Sequence, residues 1–234
     1  GIPRSEIFVT TKVFVRQFGR DATAKHVPIY LQQLGLDYID LVLIHMPSTF
    51  SYITNECTTK NLSHKQCREE TWKSLSEARD KGLVKDVGVS NFNVKQMKEI
   101  MALNLAPLAA NQFQYNPWAP DYLQEAFEFC KQNNIAVTAW SSMAGTMMQV
   151  AQALTVKTLK STAAKYSRTV AQVLLRWAVQ KGAVVIPGTG NPEHMKENLE
   201  LYNFKLSDED MAAIDSLRND PSAQKFMFQP PDHT

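Results

Sequence analysis

A lysine and a histidine at the ends of two successive strand-like runs are the residues of this chain best suited to chemistry. Lys12 ends the run IFVTTK, and His45 ends the run LVLIH. In parallel α/β folds the functional groups collect at the carboxyl ends of the strands. An ammonium and an imidazole at that edge predict a proton-transfer pair.

Further polar or flat side chains follow the later strand-like runs. Asn91 and Gln112 offer amide groups, and Trp140 offers a ring on which a ligand can stack. The Gly-rich turn at 188–191 precedes a helical pattern, and a helix N-terminus suits phosphate. Together these groups predict a nicotinamide cofactor beside a small polar reaction site.

Each of these residues also has a purely structural interpretation, which the spacing leaves open. Lys12 suits a surface ammonium, and His45 suits a satisfied core position. Asn91 suits the cap of the next helix, and Trp140 suits the core. The turn at Gly188 lacks the full G-x-G-x-x-G pattern of dinucleotide-binding proteins, so it is also compatible with a simple turn.

Short apolar runs alternate with helical patterns along the chain. The runs predict strands at 7–13, 39–45, 84–90, 109–115, 135–141 and 183–189. Helical patterns occupy 21–34, 66–81, 94–103, 122–132, 169–180, 193–201 and 208–217. This alternation predicts right-handed βαβ units and a parallel sheet. Six units complete a doubly wound sheet but leave a (β/α)₈ barrel two units short, and periodicity alone does not choose between them.

The composition predicts one globular domain with a sizeable core. The 234 residues are 44% hydrophobic and 21% charged, and the net charge is +2. Since no block of basic residues is present, a nucleic-acid footprint is not expected. No run reaches the roughly 18 apolar residues of a membrane span, and no signal peptide is visible. We therefore expect a cytoplasmic protein.

The three cysteines are Cys57, Cys67 and Cys130. Their odd number and loose spacing argue against a disulfide framework and against a zinc site, and no metal site is predicted. A reducing compartment is the default expectation. A regulatory disulfide between Cys57 and Cys67, which flank a polar loop, stays open as the alternative.

Taken together, these stretches resemble the aldo-keto reductases from residue 1 to about residue 228. The resemblance is carried by RSEIFVTTKV, LQQLGLDYIDLVLIHMP, ETWKSLSEARDKGLVKDVGVSNFNVKQM, NQFQYNP, AVTAW and VAQVLLRWAVQKGAVVIPGT. It implies a (β/α)₈ TIM barrel whose first two βα units are missing from this chain. The implied organisation is a single domain over 1–234 with a C-terminal extension at 218–234.

The resemblance implies reduction of aldehydes and ketones to alcohols with a nicotinamide cofactor, usually NADPH. In the family a hydride passes to the carbonyl carbon, and a Tyr gives a proton to the carbonyl oxygen. Lys12 matches the family Lys, which lowers the Tyr pKa. His45 matches the family His, which orients the carbonyl. Tyr52, Tyr115 and Trp118 are expected to shape the substrate pocket.

The same match implies which residues bind the cofactor. Those that would hold the nicotinamide end are Ser90, Asn91, Gln112, Trp140 and Ser141, and those that would hold the adenosine end are Gly188, Thr189, Asn191, Glu197 and Asn198. Where the family usually has a Lys and an Arg that contact the 2′-phosphate of NADPH, this chain has Gly188 and His194. NADH use is therefore an alternative to NADPH use.

The chain also departs from the family pattern, because none of its residues matches the family Tyr or the Asp that pairs with the Lys. A second hypothesis follows, in which the protein is a catalytically inactive structural or regulatory subunit and a protein partner covers the open barrel edge. The alternative to such a partner is an N-terminal segment, outside this sequence, that carries the family Tyr and Asp. If Gly1 follows a removed segment, an organelle matrix or stroma replaces the cytoplasm as the expected location.

Overall fold

A computed structural model describes residues 1–50, 52–145 and 147–219. The chain divides into two compact units. Unit 1 holds Gly1–Asn111 and Phe129–Ile135, and unit 2 holds Gln112–Glu128 and the described residues from Ala136 onward. Of the predicted C-terminal extension, residues 218 and 219 lie in a 3₁₀ helix, and residues 220–234 lie outside the described residues.

The described residues contain six strands whose order in the sheet follows the chain. They are β1 Thr10–Val13, β2 Ile39–Ile44, β3 Val84–Ser90, β4 Leu108–Gln114, β5 Ala136–Trp140 and β6 Val184–Val185. β1 pairs in parallel with β2, with Lys12 opposite Leu43, and β2 pairs in parallel with β3. β5 and β6 are also parallel. All six predicted strands are confirmed, although β1 and β6 are shorter than the apolar runs.

Ten α-helices lie in the part of the chain that the structure describes. They are α1 Arg20–Leu34, α2 Glu56–Thr59, α3 His64–Asp80, α4 Val94–Met101, α5 Asp121–Gln132, α6 Met147–Ala153, α7 Lys157–Tyr166, α8 Val170–Lys181, α9 Pro192–Leu199 and α10 Asp208–Asp215. Short 3₁₀ helices occupy Arg4–Glu6, Val15–Gln17, Glu200–Tyr202 and Ser216–Asn219. The sequence prediction missed α2, α6 and α7.

Side-chain caps explain where several helices begin. Ser63, Asn93 and Thr169 precede α3, α4 and α8, and each side chain accepts a hydrogen bond from a backbone N–H in the first turn. In all three, a Gln side chain returns a bond to the cap residue, which completes a capping box. The cap of α4 is therefore Asn93, and Asn91 is left for another role.

Gly88 allows β2, β3 and the part of β4 that belongs to unit 1 to pack closely. A Cβ atom at this position would lie 2.5 Å from the carbonyl oxygen of Ala110 and 2.7 Å from Cδ2 of Leu43. Leu43 and Ala110 belong to one buried apolar cluster. Any side chain at residue 88 would thus push apart the strands that carry His45 and Ser90 at their ends.

Cys57 and Cys67 form a disulfide, so the default expectation of reduced cysteines is wrong for this pair. Spacing alone could not predict this bond, because the two cysteines are ten positions apart and it is the packing of α2 against α3 that brings their Cα atoms to 5.5 Å. Cys130 is a buried free thiol. Among the described residues, no helix has the length and apolarity to cross a membrane, and no cluster of metal-ligating side chains occurs.

Candidate active site

Lys12 and His45 lie at the carboxyl ends of neighbouring parallel strands in unit 1. The register places Lys12 opposite Leu43, and the His45 backbone N–H donates to the carbonyl oxygen of Val13 over 3.1 Å. Both side chains are half-buried. The structure therefore places this predicted pair at one sheet edge, because adjacent parallel strands end together.

Burial and mutual charge shift the pKa values of this pair. Burial lowers the pKa of Lys12 below 10.5. Burial also lowers the pKa of His45 below 6.5, and the positive charge of Lys12 lowers it further. Because like charges and desolvation both disfavour the imidazolium, His45 is a neutral imidazole at neutral pH. A neutral imidazole can donate one hydrogen bond to a carbonyl oxygen, and the neighbouring ammonium favours negative charge there.

Asn91 fixes the backbone on which His45 lies. Its Nδ2 donates to the carbonyl oxygen of His45 over 3.1 Å and contacts the sulfur of Met46 at 3.3 Å. It also donates to Oγ of Ser90 over 3.1 Å. Asn91 itself adopts a left-handed conformation, with φ of 64°. Backbone strain of this kind is often stored at functional sites, and here it aims an amide at the residue after a strand.

An aromatic side chain that the sequence analysis did not select contacts the imidazole. The rings of Phe14 and His45 meet edge to face, with centroids 5.8 Å apart. Phe14 is exposed next to β1, whereas aromatic residues near a strand end are usually assigned to the core. Its contact with His45 makes Phe14 an apolar wall beside the polar pair. The sequence does not reveal this contact, because it depends on how β1 and β2 are aligned.

In unit 2, Ser141 and Gly188 border one cavity of about 200 Å³. Its other lining residues are Ser142, Met143, Ala144, Val150, Leu175, Ile186 and Pro187. Ser141 and Ala144 both have positive φ, at 51° and 123°, which L-residues rarely adopt. The wall of this cavity therefore carries backbone strain at two positions.

Trp140 ends β5 directly before this cavity wall. Its carbonyl oxygen accepts from the N–H of Tyr115 over 3.3 Å, and Asn116 donates from Nδ2 to the carbonyl oxygen of Ser141 over 3.1 Å. The Trp140 side chain is half-buried, which leaves part of the indole exposed. Asn116, which the sequence analysis did not select, therefore holds the strained turn in place.

Thr189 and Asn191 are predicted to bind the adenosine end, and both lie in the turn that precedes α9. Asn191 caps that helix by accepting from the N–H of Glu193 over 3.0 Å, and its own N–H donates to Oγ1 of Thr189. Oγ1 of Thr189 also lies 3.4 Å from Nδ1 of His194. The structure brings these three residues together on an exposed turn that follows β6.

Other candidates contact different parts of unit 2. Oε2 of Glu197 accepts from Oγ1 of Thr169, and its backbone carbonyl accepts from Gln172, so the residue packs on α8. Gln112 is buried within β4, and Asn198 is half-buried on α9. The roles of these three residues in cofactor binding stay predictions.

The expectation that Tyr115 and Trp118 line a substrate pocket is wrong for Tyr115. Its ring is fully buried and stacks between Phe127 and Trp177, with centroids 4.4 and 5.3 Å away. Burial accordingly raises its pKa. Trp118 is 3% exposed, whereas Tyr52 is 79% exposed and stacks on Phe50. Of the three, Tyr52 alone has most of its side chain available to a ligand.

Comparison with known proteins gives one consistent result. Residues 2–219 match the model of the Aldo/keto reductase family. A 9,11-endoperoxide prostaglandin H2 reductase of Trypanosoma cruzi is 35% identical over 222 residues, which are 94% of this chain and 71% of that protein. A glyoxal reductase of Bacillus subtilis is 33% identical over 233 residues, covering 97% of this chain and 76% of that protein.

A solved structure agrees with the sequence matches. The Bombyx mori aldo-keto reductase in complex with NADP is similar with a TM-score of 0.79 and 30% identity. The match covers 99% of this chain and 76% of that one. The similarity thus covers nearly the whole of this chain and about three quarters of that one.

Proposed function

Since this chain belongs to the aldo/keto reductase family, we propose that the protein reduces small aldehydes and ketones to alcohols with NADPH. The observation that carries the proposal is the placement of Lys12 and His45 at the adjacent carboxyl ends of the parallel strands β1 and β2. A neutral imidazole beside an ammonium suits the oxygen of a carbonyl group, on which negative charge develops as the carbon is reduced.

The roles proposed for the pair follow from this charge arrangement. His45 donates a hydrogen bond that orients the carbonyl oxygen. Lys12 stabilises the negative charge that develops on the carbonyl oxygen. In the family, as the resemblance implies, the Lys also tunes the pKa of a Tyr acid, which no residue of this chain matches. Phe14 supplies an apolar wall, which lowers the local dielectric and strengthens both interactions.

Residues of unit 2 fit part of a nicotinamide dinucleotide. A Cβ at Gly188 would meet nothing within 4 Å, so a ligand can approach the backbone there. The adjoining cavity of about 200 Å³ has two serines, Ser141 and Ser142, on its wall. This volume is below the roughly 300–1,000 Å³ of most small-molecule sites, so it suits only a ribose or phosphate portion of the cofactor.

The cofactor, when bound, supplies the hydride that goes to the carbonyl carbon. We assign Ser90, Asn91, Gln112, Trp140 and Ser141 to its nicotinamide end and Gly188, Thr189, Asn191, Glu197 and Asn198 to its adenosine end. The NADP complex of the Bombyx mori relative supports the cofactor class. Asn191 and Thr189 contribute polar side chains at the start of α9, where the helix dipole favours a phosphate.

A steady-state assay tests the proposal. The purified protein is mixed with NADPH and either glyoxal, methylglyoxal or an aromatic aldehyde, and cofactor oxidation is followed with and without substrate. We expect substrate-dependent oxidation that Lys12→Met lowers by about 10²–10⁴-fold, with Lys25→Met as a control on an exposed lysine of α1. The non-catalytic hypothesis predicts no oxidation with any carbonyl, and the reductase names of the relatives give it no support.

A further inference from the structure

We propose that the Cys57–Cys67 disulfide is a redox-controlled brace for the segment that follows His45. In the oxidised form it holds α2 against α3, and its reduction by a dithiol loosens α2 and the chain on either side. The effect on turnover rests on the proposed function. The effect on conformation stands independently of it.

The disulfide joins two helices inside unit 1. Cys57 is in α2 and Cys67 is in the first turn of α3, and both side chains are almost inaccessible, with exposures of 1% and 2%. Only the short turn at 60–63 otherwise connects these helices. A helix of four residues such as α2 cannot persist by its own hydrogen bonds, so its position depends on the contacts around it.

The α2 end of the brace holds the chain that follows Lys12. Asn55, the cap of α2, donates from Nδ2 to the carbonyl oxygen of Val15 over 2.6 Å and to Oγ1 of Thr49 over 3.0 Å. Glu56 accepts from the N–H of Ala22 over 2.6 Å. Because Val15 lies three positions after Lys12 and Thr49 four after His45, α2 ties together the two loops that leave the catalytic pair.

The α3 end holds the residues directly after His45. Arg68, next to Cys67, is buried and donates from Nη1 to the carbonyl oxygen of Pro47 over 2.8 Å. Its Nη2 pairs with Oε2 of Glu99 at 2.5 Å, which fixes the guanidinium. The disulfide therefore connects two helices that each hydrogen-bond to the loop after His45, α2 through Asn55 to Thr49 and α3 through Arg68 to Pro47.

Reduction of the brace is an ordinary thiol–disulfide exchange. A thiolate of the dithiol attacks one sulfur, the S–S bond breaks, and the other cysteine leaves as a thiolate that takes up a proton. The second thiol of the reductant then displaces the first cysteine. Two electrons and two protons pass to the protein, and the reductant ends as a disulfide. Since both sulfurs are buried, exchange requires local opening of α2 and is slower than at an exposed disulfide.

The first experiment counts thiols. Protein purified without reductant is denatured and alkylated, and the mass is measured. We expect one modified cysteine, Cys130, and three after treatment with dithiothreitol before alkylation. Three modified cysteines without dithiothreitol would show that the brace does not form, and the proposal would be wrong.

The second experiment measures the conformation of the braced segment in the native protein. Limited proteolysis within residues 52–63 should become faster by about an order of magnitude on reduction, and reoxidation should restore the slow rate. Cys130→Ser should respond as the unchanged protein does. Cys57→Ser/Cys67→Ser should be cleaved fast with or without dithiothreitol. Equal cleavage of the oxidised and reduced forms would overturn the proposal, even if the double variant fails to fold.

Turnover provides a separate readout. If the protein reduces carbonyls, kcat/KM should fall on reduction and recover on reoxidation, in parallel with the proteolysis rate. If it shows no turnover in either redox state, the proposed function fails and the proteolysis result still decides whether the brace exists. Proteolysis that responds while kcat/KM stays constant would show that the brace does not reach the catalytic pair.

Discussion

The Nδ2 atom of Asn91 donates a hydrogen bond to the backbone carbonyl oxygen of His45 over 3.1 Å. This bond links the residue directly after β3 to the residue directly after β2, and Asn91 has a φ of 64°. The side chain and the backbone conformation of one residue thus both contribute to the position of the candidate catalytic imidazole.

Two substitutions separate these contributions. Asn91→Gly removes the side chain and adopts the left-handed conformation without steric strain, whereas Asn91→Ala removes the amide and adds strain. We expect Asn91→Gly to lower the unfolding free energy by about 1 kcal/mol, and Asn91→Ala by about 1 kcal/mol more. Denaturant unfolding measures both values. Equal stability of the two variants would show that the positive φ costs nothing at this position.

The buried charge of Lys12 should lower the unfolding free energy at neutral pH, although the proposed reaction depends on that charge. Burial lowers its pKa below 10.5, so the unfolded chain binds this proton more tightly than the folded protein does. The unfolding free energy should therefore rise as pH increases from the folded pKa towards 10.5. Lys12→Met should be more stable than the unchanged protein at pH 7, and the difference should shrink as pH approaches 10.5. Lys12→Arg, which keeps its charge, serves as the control and should retain the penalty throughout this range.

The charge of Lys12 should be detectable at His45. Burial is the larger cause of the lowered His45 pKa, and the Lys12 charge is the smaller one. In Lys12→Met the His45 pKa, followed by NMR titration of the imidazole, should rise but remain below 6.5. In the unchanged protein, the unfolding free energy should decrease as pH falls from 6.5 towards the pKa of His45 in the folded state. An identical titration in both proteins would contradict the coupling on which the proposed roles depend.

The turn at the start of α9 should bind the 2′-phosphate of NADPH weakly. As the family resemblance implies, Gly188 and His194 stand where a Lys and an Arg usually contact the 2′-phosphate, and a charge-assisted hydrogen bond contributes up to a few kcal/mol. His194→Arg should therefore raise the affinity for 2′,5′-ADP by about tenfold or more and leave the affinity for 5′-AMP unchanged. Calorimetry measures both. A parallel gain for both nucleotides would show that residue 194 does not contact the 2′-phosphate.

The hydrophobic pattern was sufficient to predict most of the fold. The strand runs at 39–45 and 84–90 correspond to β2 and β3, and β2 is buried along its whole length, as an inner parallel strand should be. Helix α2 was missed because its four residues, ECTT, have no helical apolar pattern and are held by the disulfide and the Asn55 cap. The single-domain organisation of 1–234 remains a prediction.

The candidate site was only partly predictable. Lys12 and His45 could be selected because strand ends are visible in the sequence. The contact of Phe14 with His45 depends on register, and the support of Pro47 by Arg68 joins residues 21 positions apart. Tyr115 was assigned wrongly because one aromatic residue after a strand suits a pocket and a core equally well. The roles of Ser90, Gln112 and the residues around α9 in cofactor binding stay predictions.

The most direct test of the account is the rate of NADPH oxidation with a small aldehyde, measured in parallel for the protein and for Lys12→Met. We predict steady substrate-dependent oxidation that falls by about 10²–10⁴-fold in the variant, while the variant remains folded and at least as stable. Oxidation at the same rate in both proteins would contradict the role of Lys12. No oxidation with any aldehyde would contradict carbonyl reduction itself.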